Sequence, residues 1–404
     1  MALVPLSEAQ ALVWGACRRL APTSVPVGQA LGLVCATEVV AAEPVPPFDN
    51  TAMDGYAVRA ADTEPVPARL KVTGTLAAGD APHQAVGPGE AVRIMTGAPL
   101  PPGADAVVKV EDTEAGDGVV VVRRRARPGD HLRRAGEDLR PGSVVFPAGT
   151  RLGPAHLGVL ASLGLAEVAA YPRPRVGVLS TGDELVAAGP LGPGQVRDAN
   201  RPALVALAAE AGFDPVDLGL VGDDQAQLEE TLARAAAGCD AVVASGGASV
   251  GDFDLMQVVL SRLGQDSVRW LQVAIKPAKP LAFGLVGGTP VFGLPGNPVS
   301  SLVSFELFAR PALRKMMGFE QPDRPLWRGV AAEAMRRRPD GKVHFVRAVA
   351  EPGPDGRLSA RLAGGQGSHV LSAMARANAL AVLPDGEGVA EGECVELMLL
   401  GPDR

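Results

Sequence analysis

The chain has 404 residues, a formal net charge of −7 and 47% hydrophobic residues. Its length suits several domains and its apolar content a sizeable core, which rests on Ala, Val and Leu because aromatics are only 4%. The acidic balance argues against a general binder of nucleic-acid backbones, and no apolar run of about 18 residues reads as a membrane span. The four cysteines are far apart and form no CxxC pair, so neither a disulfide framework nor a zinc site is readable. The start lacks a basic segment followed by a long apolar run, so no signal peptide is expected and the expected location is the cytoplasm.

In chain order, Ser7-Glu8-Ala9-Gln10 fits a capping box, and Ala9, Leu12, Val13, Ala16 and Leu20 follow at helical spacing until Pro22. A second short helix is expected over 27–36. Pro44, Pro46 and Pro47 then mark a break. From 48 to about 148 the pattern is strand and turn, with strands expected at 70–75, 90–95, 106–111 and 119–124. The stretch 153–165 reads as helical and is expected to pack with the N-terminal helices, which would make the β module an insertion.

From 175 strands and helices alternate. Strands are expected at 175–180, 216–220, 240–245, 268–275, 281–285 and 290–294. Helices are expected at 201–211 with Asn200 as cap, at 223–237 with Asp223 or Asp224 near its cap, at 253–263, and at 298–317 with Asn297 as cap and Pro298 in the first turn. After 322 the strands 327–334, 343–350, 358–362, 379–383 and 394–399 suggest a small β-barrel. The expected fold is therefore multidomain, α/β plus β. It has an N-terminal helical/linker domain (1–47 and 147–174), an inserted β domain (48–146), a three-layer α/β/α domain with a mostly parallel sheet (175–322) and a C-terminal β-barrel-like domain (323–404).

Ligands of open α/β sheets collect at the C-terminal ends of parallel strands, and three polar loops fall there. The first is Ser180-Thr181-Gly182-Asp183-Glu184. Its small residues let backbone N–H groups approach a phosphate, although a turn plus helix cap reads equally well for this loop alone. The second runs from Ser245-Gly246-Gly247 through Ser249 to Asp254 and precedes a helix, which suits an anion cradle. Carboxylates beside such a cradle repel the ligand unless a cation lies between, so Mg²⁺ held by Glu184, Asp254 or both is favoured over simple capping. The third is Pro295-Gly296-Asn297-Pro298. Lys276 and Lys279, fixed by neighbouring prolines, add positive charge suited to phosphate or another oxyanion. The basic runs 123–127 and 336–338 read as solvated faces.

Seven motifs in this order resemble the MoeA family of molybdopterin molybdenumtransferases, related to the C-terminal domain of gephyrin. They are PPFDNTAMDGYAV (46–58), MTGAPLPPGADAVV (95–108), GEDL (136–139), STGDEL (180–185), SGGASVGDFD (245–254), KPAKP (276–280) and GLPGNPVSS (293–301). The resemblance covers essentially the whole chain. It implies Mg²⁺-assisted insertion of molybdenum from molybdate into adenylylated molybdopterin, with AMP released. It also implies a homodimer and transient contact with molybdopterin adenylyltransferase and recipient molybdoenzymes, with no nucleic-acid or membrane partner.

Carried over from the family, Asp54, Thr96, Asp138, Glu184, Asp223 and Asp254 are the catalytic candidates, with Glu184 and Asp254 toward the metal. Asp54 and Thr96 are expected to shape the molybdate side from the second subunit. Ser180, Thr181, Gly182, Ser245, Gly246, Gly247, Ser249, Lys276, Lys279, Pro295, Gly296, Asn297, Pro298, Arg347 and Ser368 are the binding candidates. Some relatives carry a further lysine where this chain has Gln272, which removes one expected cationic contact. Two other readings stay open: a molybdopterin adenylyltransferase, argued against by the flanking domains, and a gephyrin-like scaffold, argued against by the retained carboxylates.

Overall fold

The structure is a computed structural model that describes residues 2–246, 255–353 and 355–402. The chain forms two compact units. One comprises Met1–Val25, Gly32–Ala36 and Ala169–Arg404, the other Pro26–Leu31 and Thr37–Val168. Among the described residues no helix is long and apolar enough to cross a membrane.

The larger unit is built on a six-stranded sheet. Its elements are β1 (Arg175–Thr181), α1 (Asn200–Glu210), β2 (Asp214–Val221), α2 (Gln225–Gly238), β3 (Ala241–Ser245), α3 (Leu255–Gly264), β4 (Arg269–Gln272), β5 (Pro280–Val286) and β6 (Thr289–Leu294). The strand order is β2-β1-β3-β6-β5-β4. The first four are mutually parallel, β5 pairs antiparallel with β6, and β4 pairs antiparallel with β5 and so points the same way as the first four. The central strands β1, β3 and β6 are almost wholly buried because both faces of the sheet are covered, whereas the edge strands β2 and β4 carry exposed polar residues. Val176 and Val178 turn to the core that holds Leu204 and Ala208 of α1. Leu179 turns to the opposite core, with Leu228 and Leu232 of α2 and Met256 of α3. Each of these buried Val, Leu and Met side chains contributes about 1.5–3 kcal/mol.

After β6 a long helix runs as α4 (Pro298–Ser304), a π-helical turn over Phe305–Ala309 and α5 (Arg310–Met316). Glu306, in the π turn, is buried and accepts hydrogen bonds from Arg324 Nε and Nη2 at 2.7 and 3.2 Å. Arg324 Nη1 also donates to the carbonyl of Gly401, at 2.9 Å, so this pair ties the helix to the start and end of the C-terminal domain.

That domain is a closed barrel. Its strands are β7 (Leu326–Ala331), β8 (Val343–Pro352), β9 (Leu358–Leu362), β10 (Ala379–Leu383) and β11 (Cys394–Leu399). The ring runs β8-β9-β7-β11-β10 and back to β8, which leaves no edge within the ring. The expected strand 268–275 stops at Gln272. Ile275–Lys276 instead leaves the α/β sheet and pairs with β8, Lys276 opposite His344.

The N-terminal helix spans Leu6–Ala16 and buries Ala9 and Val13 in the core shared with β1. The expected capping box does not form. Pro5 flanks the helix with no side-chain cap, and Gln10 Nε2 donates 3.0 Å to the carbonyl of Leu307, a tertiary acceptor that replaces the local one. The helix expected over 27–36 is also absent. One 3-10 turn, Val27–Gln29, is followed by the strand Val34–Cys35, which pairs with Glu167–Tyr171. Gly28 and Gly32 weaken a helix there and a waiting strand partner takes the rest.

The smaller unit holds a six-stranded sheet in the order Ala106–Lys109, Gly55–Val58, Glu90–Ile94, Ala68–Leu76, Val119–Val122, Thr113–Gly116. The helix Pro154–Ser162 belongs to this unit and packs on the turn Val27–Gln29, whereas Leu6–Ala16 belongs to the other.

Candidate active site

The first loop follows β1. Ser180 and Thr181 are buried, and Ser180 Oγ donates 3.0 Å to Asp198 Oδ1. Gly182 has φ +141°, and a Cβ there would lie 2.4 Å from Glu184 Oε2, so the Glu184 carboxylate folds back over the loop. Asp183 Oδ1 accepts the Asp223 backbone N–H at 2.8 Å. Asp183, Glu184 and Asp223 therefore gather where β1 and β2 end. Asp224, not Asp223, caps α2, through the N–H of Gln227 at 3.0 Å.

The second and third loops close on the first. Gly246 has φ +100°, and a Cβ there would lie 2.4 Å from the Thr181 carbonyl oxygen, so only glycine fits. Its N–H donates 3.2 Å to the Leu294 carbonyl. A Cβ on Gly296 would lie 3.8 Å from Gly246 Cα. Ser245 Oγ accepts from Asn200 Nδ2 at 2.7 Å and from Ser301 Oγ at 3.2 Å, and makes a long contact to the Pro295 carbonyl at 3.5 Å. Asn297 flanks α4 and Pro298 opens it, as expected, but the Asn297 side chain makes no cap bond. The N–H of Val299 donates instead to the carbonyl of Ser368 at 3.0 Å, which brings the barrel-domain loop to the third loop. Gly247, Ser249 and Asp254 lie outside the described residues.

A cleft of about 330 Å³ on the barrel side is lined by Lys276, Arg336, Arg338, His344 and Arg347, with Asp340 as its carboxylate. Lys276 and Lys279 are exposed. Arg347 is 1% exposed. Its Nη2 donates 3.0 Å to each of the carbonyls of Gly365 and Gly367, and among the described residues its Nε has no partner. No carboxylate among the described residues pairs with it, and burial pushes its pKa down. Gln366 bonds both the N–H and the carbonyl of Arg347, at 2.9 and 3.0 Å, so Arg347 braces the loop that carries Ser368. Burial works to raise the pKa of Asp340, but hydrogen bonds from Lys342 and His344 outweigh it and hold the carboxyl down at about 2. Burial lowers the His344 imidazole against the pull of Asp340. The run 336–338 is not simply a solvated face. The Arg337 side chain is only 2% exposed and clamps the carbonyls of Lys342 and Leu383, at 2.7 and 3.1 Å.

In the smaller unit, Asp54 and Thr96 meet directly. The Thr96 N–H and Oγ1 both donate to Asp54 Oδ1 at 2.7 Å. The Thr96 backbone N–H, then its hydroxyl, hold the Asp54 carboxyl below its usual value. Asp138 is exposed on a neighbouring arm whose N–H donates 3.0 Å to the Val45 carbonyl. Asp49 secures that arm through Arg134 Nη1 and the Ala135 N–H, at 2.6 and 2.8 Å.

Among the described residues no three Asp, Glu, His or Cys side chains form a ready ion cage. Mg²⁺ needs none: it is commonly held by one or two carboxylates plus ligand phosphates and water. Hard oxygen donors at Glu184, beside three converging backbone loops, fit that chemistry. Residues that sequence reasoning missed are Asp198, Gln366 and the true role of Asn200. Asn200 does not cap α1; Asp198 Oδ1 takes the Arg201 N–H at 3.2 Å.

Three family models match in order: the MoeA N-terminal region (domain I and II) over 4–164, a probable molybdopterin binding domain over 177–315 and the MoeA C-terminal region (domain IV) over 328–400. Molybdopterin molybdenumtransferase 2 of Mycobacterium tuberculosis is 43% identical over 389 residues, covering 94% of this chain and 95% of that protein. Molybdopterin molybdenumtransferase of Haemophilus influenzae is 40% identical over 373 residues, covering 91% of each. The crystal structure of the molybdopterin biosynthesis moeA protein from Pyrococcus horikoshii OT3 superposes with a TM-score of 0.82 at 30% identity, covering 99% of this chain and 100% of that one. The chain belongs to the MoeA family of molybdopterin molybdenumtransferases.

Proposed function

We propose that the chain inserts molybdenum from molybdate into adenylylated molybdopterin, releases AMP and so completes molybdenum cofactor in the cytoplasm. The observation that carries this reading is the convergence of Gly182, Gly246 and Gly296 at the strand ends, with the Glu184 carboxylate folded over the first loop. Closely approaching backbone suits a pyrophosphate. Glu184 and Asp254 would hold Mg²⁺, which when bound neutralises charge on the phosphates. Asp183 and Asp223 shape the same edge.

Lys276, Lys279 and Arg347 would hold the molybdate. A buried guanidinium without a carboxylate partner favours an anionic ligand. Arg336 and Arg338 add long-range attraction at the mouth of the same cleft. Asp54, Thr96 and Asp138 would complete the molybdate side from a second copy in a homodimer. Molybdopterin adenylyltransferase would be the transient donor and apo-molybdoenzymes the recipients.

The test is to mix the purified protein with adenylylated molybdopterin, molybdate and Mg²⁺. AMP release and activation of an apo-molybdoenzyme are both expected; intact substrate after incubation sinks the reading. Given molybdopterin and Mg·ATP instead, the protein should form no AMP ester, whereas an adenylyltransferase would. Co-expressed Asp54→Ala and Glu184→Ala chains should regain activity in mixed dimers. No regain would mean that each chain completes its own site.

A further inference from the structure

The turn 198–201 touches all three loops of the cradle. Asp198 accepts from Ser180 Oγ at the end of β1, at 3.0 Å, and from Arg201 Nε at 2.9 Å. Arg201 also pairs with Asp217 on β2. Asn200 Nδ2 lies 2.7 Å from Ser245 Oγ, at the end of β3, and 2.7 Å from the carbonyl oxygen of Gly296. A carbonyl oxygen only accepts, so this contact sets the amide orientation. Reversing it would press two oxygens together at hydrogen-bond distance. The Asn200 Oδ1 is enclosed and, among the described residues, has no partner. An N-cap asparagine uses that oxygen to accept a backbone N–H; here the nitrogen is used, on the second and third loops.

We propose that Asn200 is a positioning residue that fixes the spacing between the Ser245-Gly246 and Gly296 loops, so that their backbones converge on one phosphate group. The inference rests on the phosphate reading above. Without the tie, the ligand itself must order the two loops, and that cost appears as weaker binding rather than slower chemistry. Ser301 reaches Ser245 Oγ as well, but bonds to neither Gly246 nor Gly296, and so serves as a control.

The experiment measures binding of magnesium pyrophosphate and of AMP by calorimetry, with thermal melting, for wild type, Asn200→Ala, Asn200→Asp and Ser301→Ala. Asn200→Asp keeps the shape but removes both donors. Both Asn200 variants should bind pyrophosphate about tenfold or more weakly. The KM for adenylylated molybdopterin should rise by a similar factor with kcat nearly unchanged, while Ser301→Ala stays close to wild type. Wild-type affinity and KM in either Asn200 variant overturn the inference. A loss of binding that merely follows a lowered melting temperature in both variants overturns it in favour of a purely structural role. A wild type that binds neither probe removes the phosphate reading and the inference together, an outcome distinct from equal binding by wild type and variants.

Discussion

At the ends of β1 and β3, Ser180 and Ser245 are each 1% exposed and bond to the side chains of Asp198 and Asn200, whereas Asp54 and Thr96 of the smaller unit are exposed and bond to each other. The α/β loops are thus preformed: their polar groups are satisfied inside the fold, and a ligand meets a fixed surface. Asp54 is also fixed in place, but its side chain is exposed, and among the described residues its second carboxylate oxygen makes no hydrogen bond. One region supplies geometry and the other presents charge.

The largest effect should come from Glu184→Ala, which removes the carboxylate folded over the cradle. AMP release should fall on the order of 100-fold while the melting curve stays close to wild type. A wild-type rate would remove Glu184 from the mechanism. Gly246→Ala comes next. It forces a Cβ to within 2.4 Å of the Thr181 carbonyl at a left-handed φ, and should cost about 1–3 kcal/mol in chemical denaturation, together with pyrophosphate binding. Unchanged stability would mean that the three loops are not preformed.

Arg347→Met sharpens the comparison further, because stability and binding should part. Two carbonyl hydrogen bonds are lost, about 1 kcal/mol each, but a buried charge is also removed. Net stability should therefore shift by less than about 2 kcal/mol, while molybdate affinity measured by calorimetry falls about 10- to 100-fold. A large destabilisation with intact molybdate binding would make Arg347 a structural brace alone. The smallest effect concerns Thr96→Val. Asp54 is held low chiefly by the Thr96 backbone N–H and then by its hydroxyl, so removing the hydroxyl should raise the carboxyl part-way toward its usual value. A depressed carboxylate stabilises above its unfolded pKa, and that contribution is lost as pH falls through the folded value. The variant should lose it at a higher pH than wild type. An NMR titration of Asp54 checks this, and an unmoved midpoint would contradict it.

Much of the fold was legible. The strand 175–180, the start of the helix after Asp223-Asp224 and the barrel strands from 358 onward follow from local apolar runs and turn residues, although which of the two aspartates caps that helix stayed open. What failed were choices between local and distant partners. Gln10 abandons its own helix for Leu307, and Asn200 abandons a cap for Ser245 and Gly296. No spacing rule reveals a partner 96 residues away. Arg337 failed for the same reason, as a surface-like basic run folds one member inward onto distant carbonyls. The motifs that named the family were readable as residues, but what they touch was not.

The most direct test is to soak crystals of the protein with molybdate and AMP and to record anomalous scattering at the molybdenum edge. A peak beside Lys276, Lys279 and Arg347, with the AMP phosphate against Gly182, Gly246 and Gly296, is the predicted result. A molybdenum peak remote from Arg347, or AMP bound away from the three loops, would contradict it.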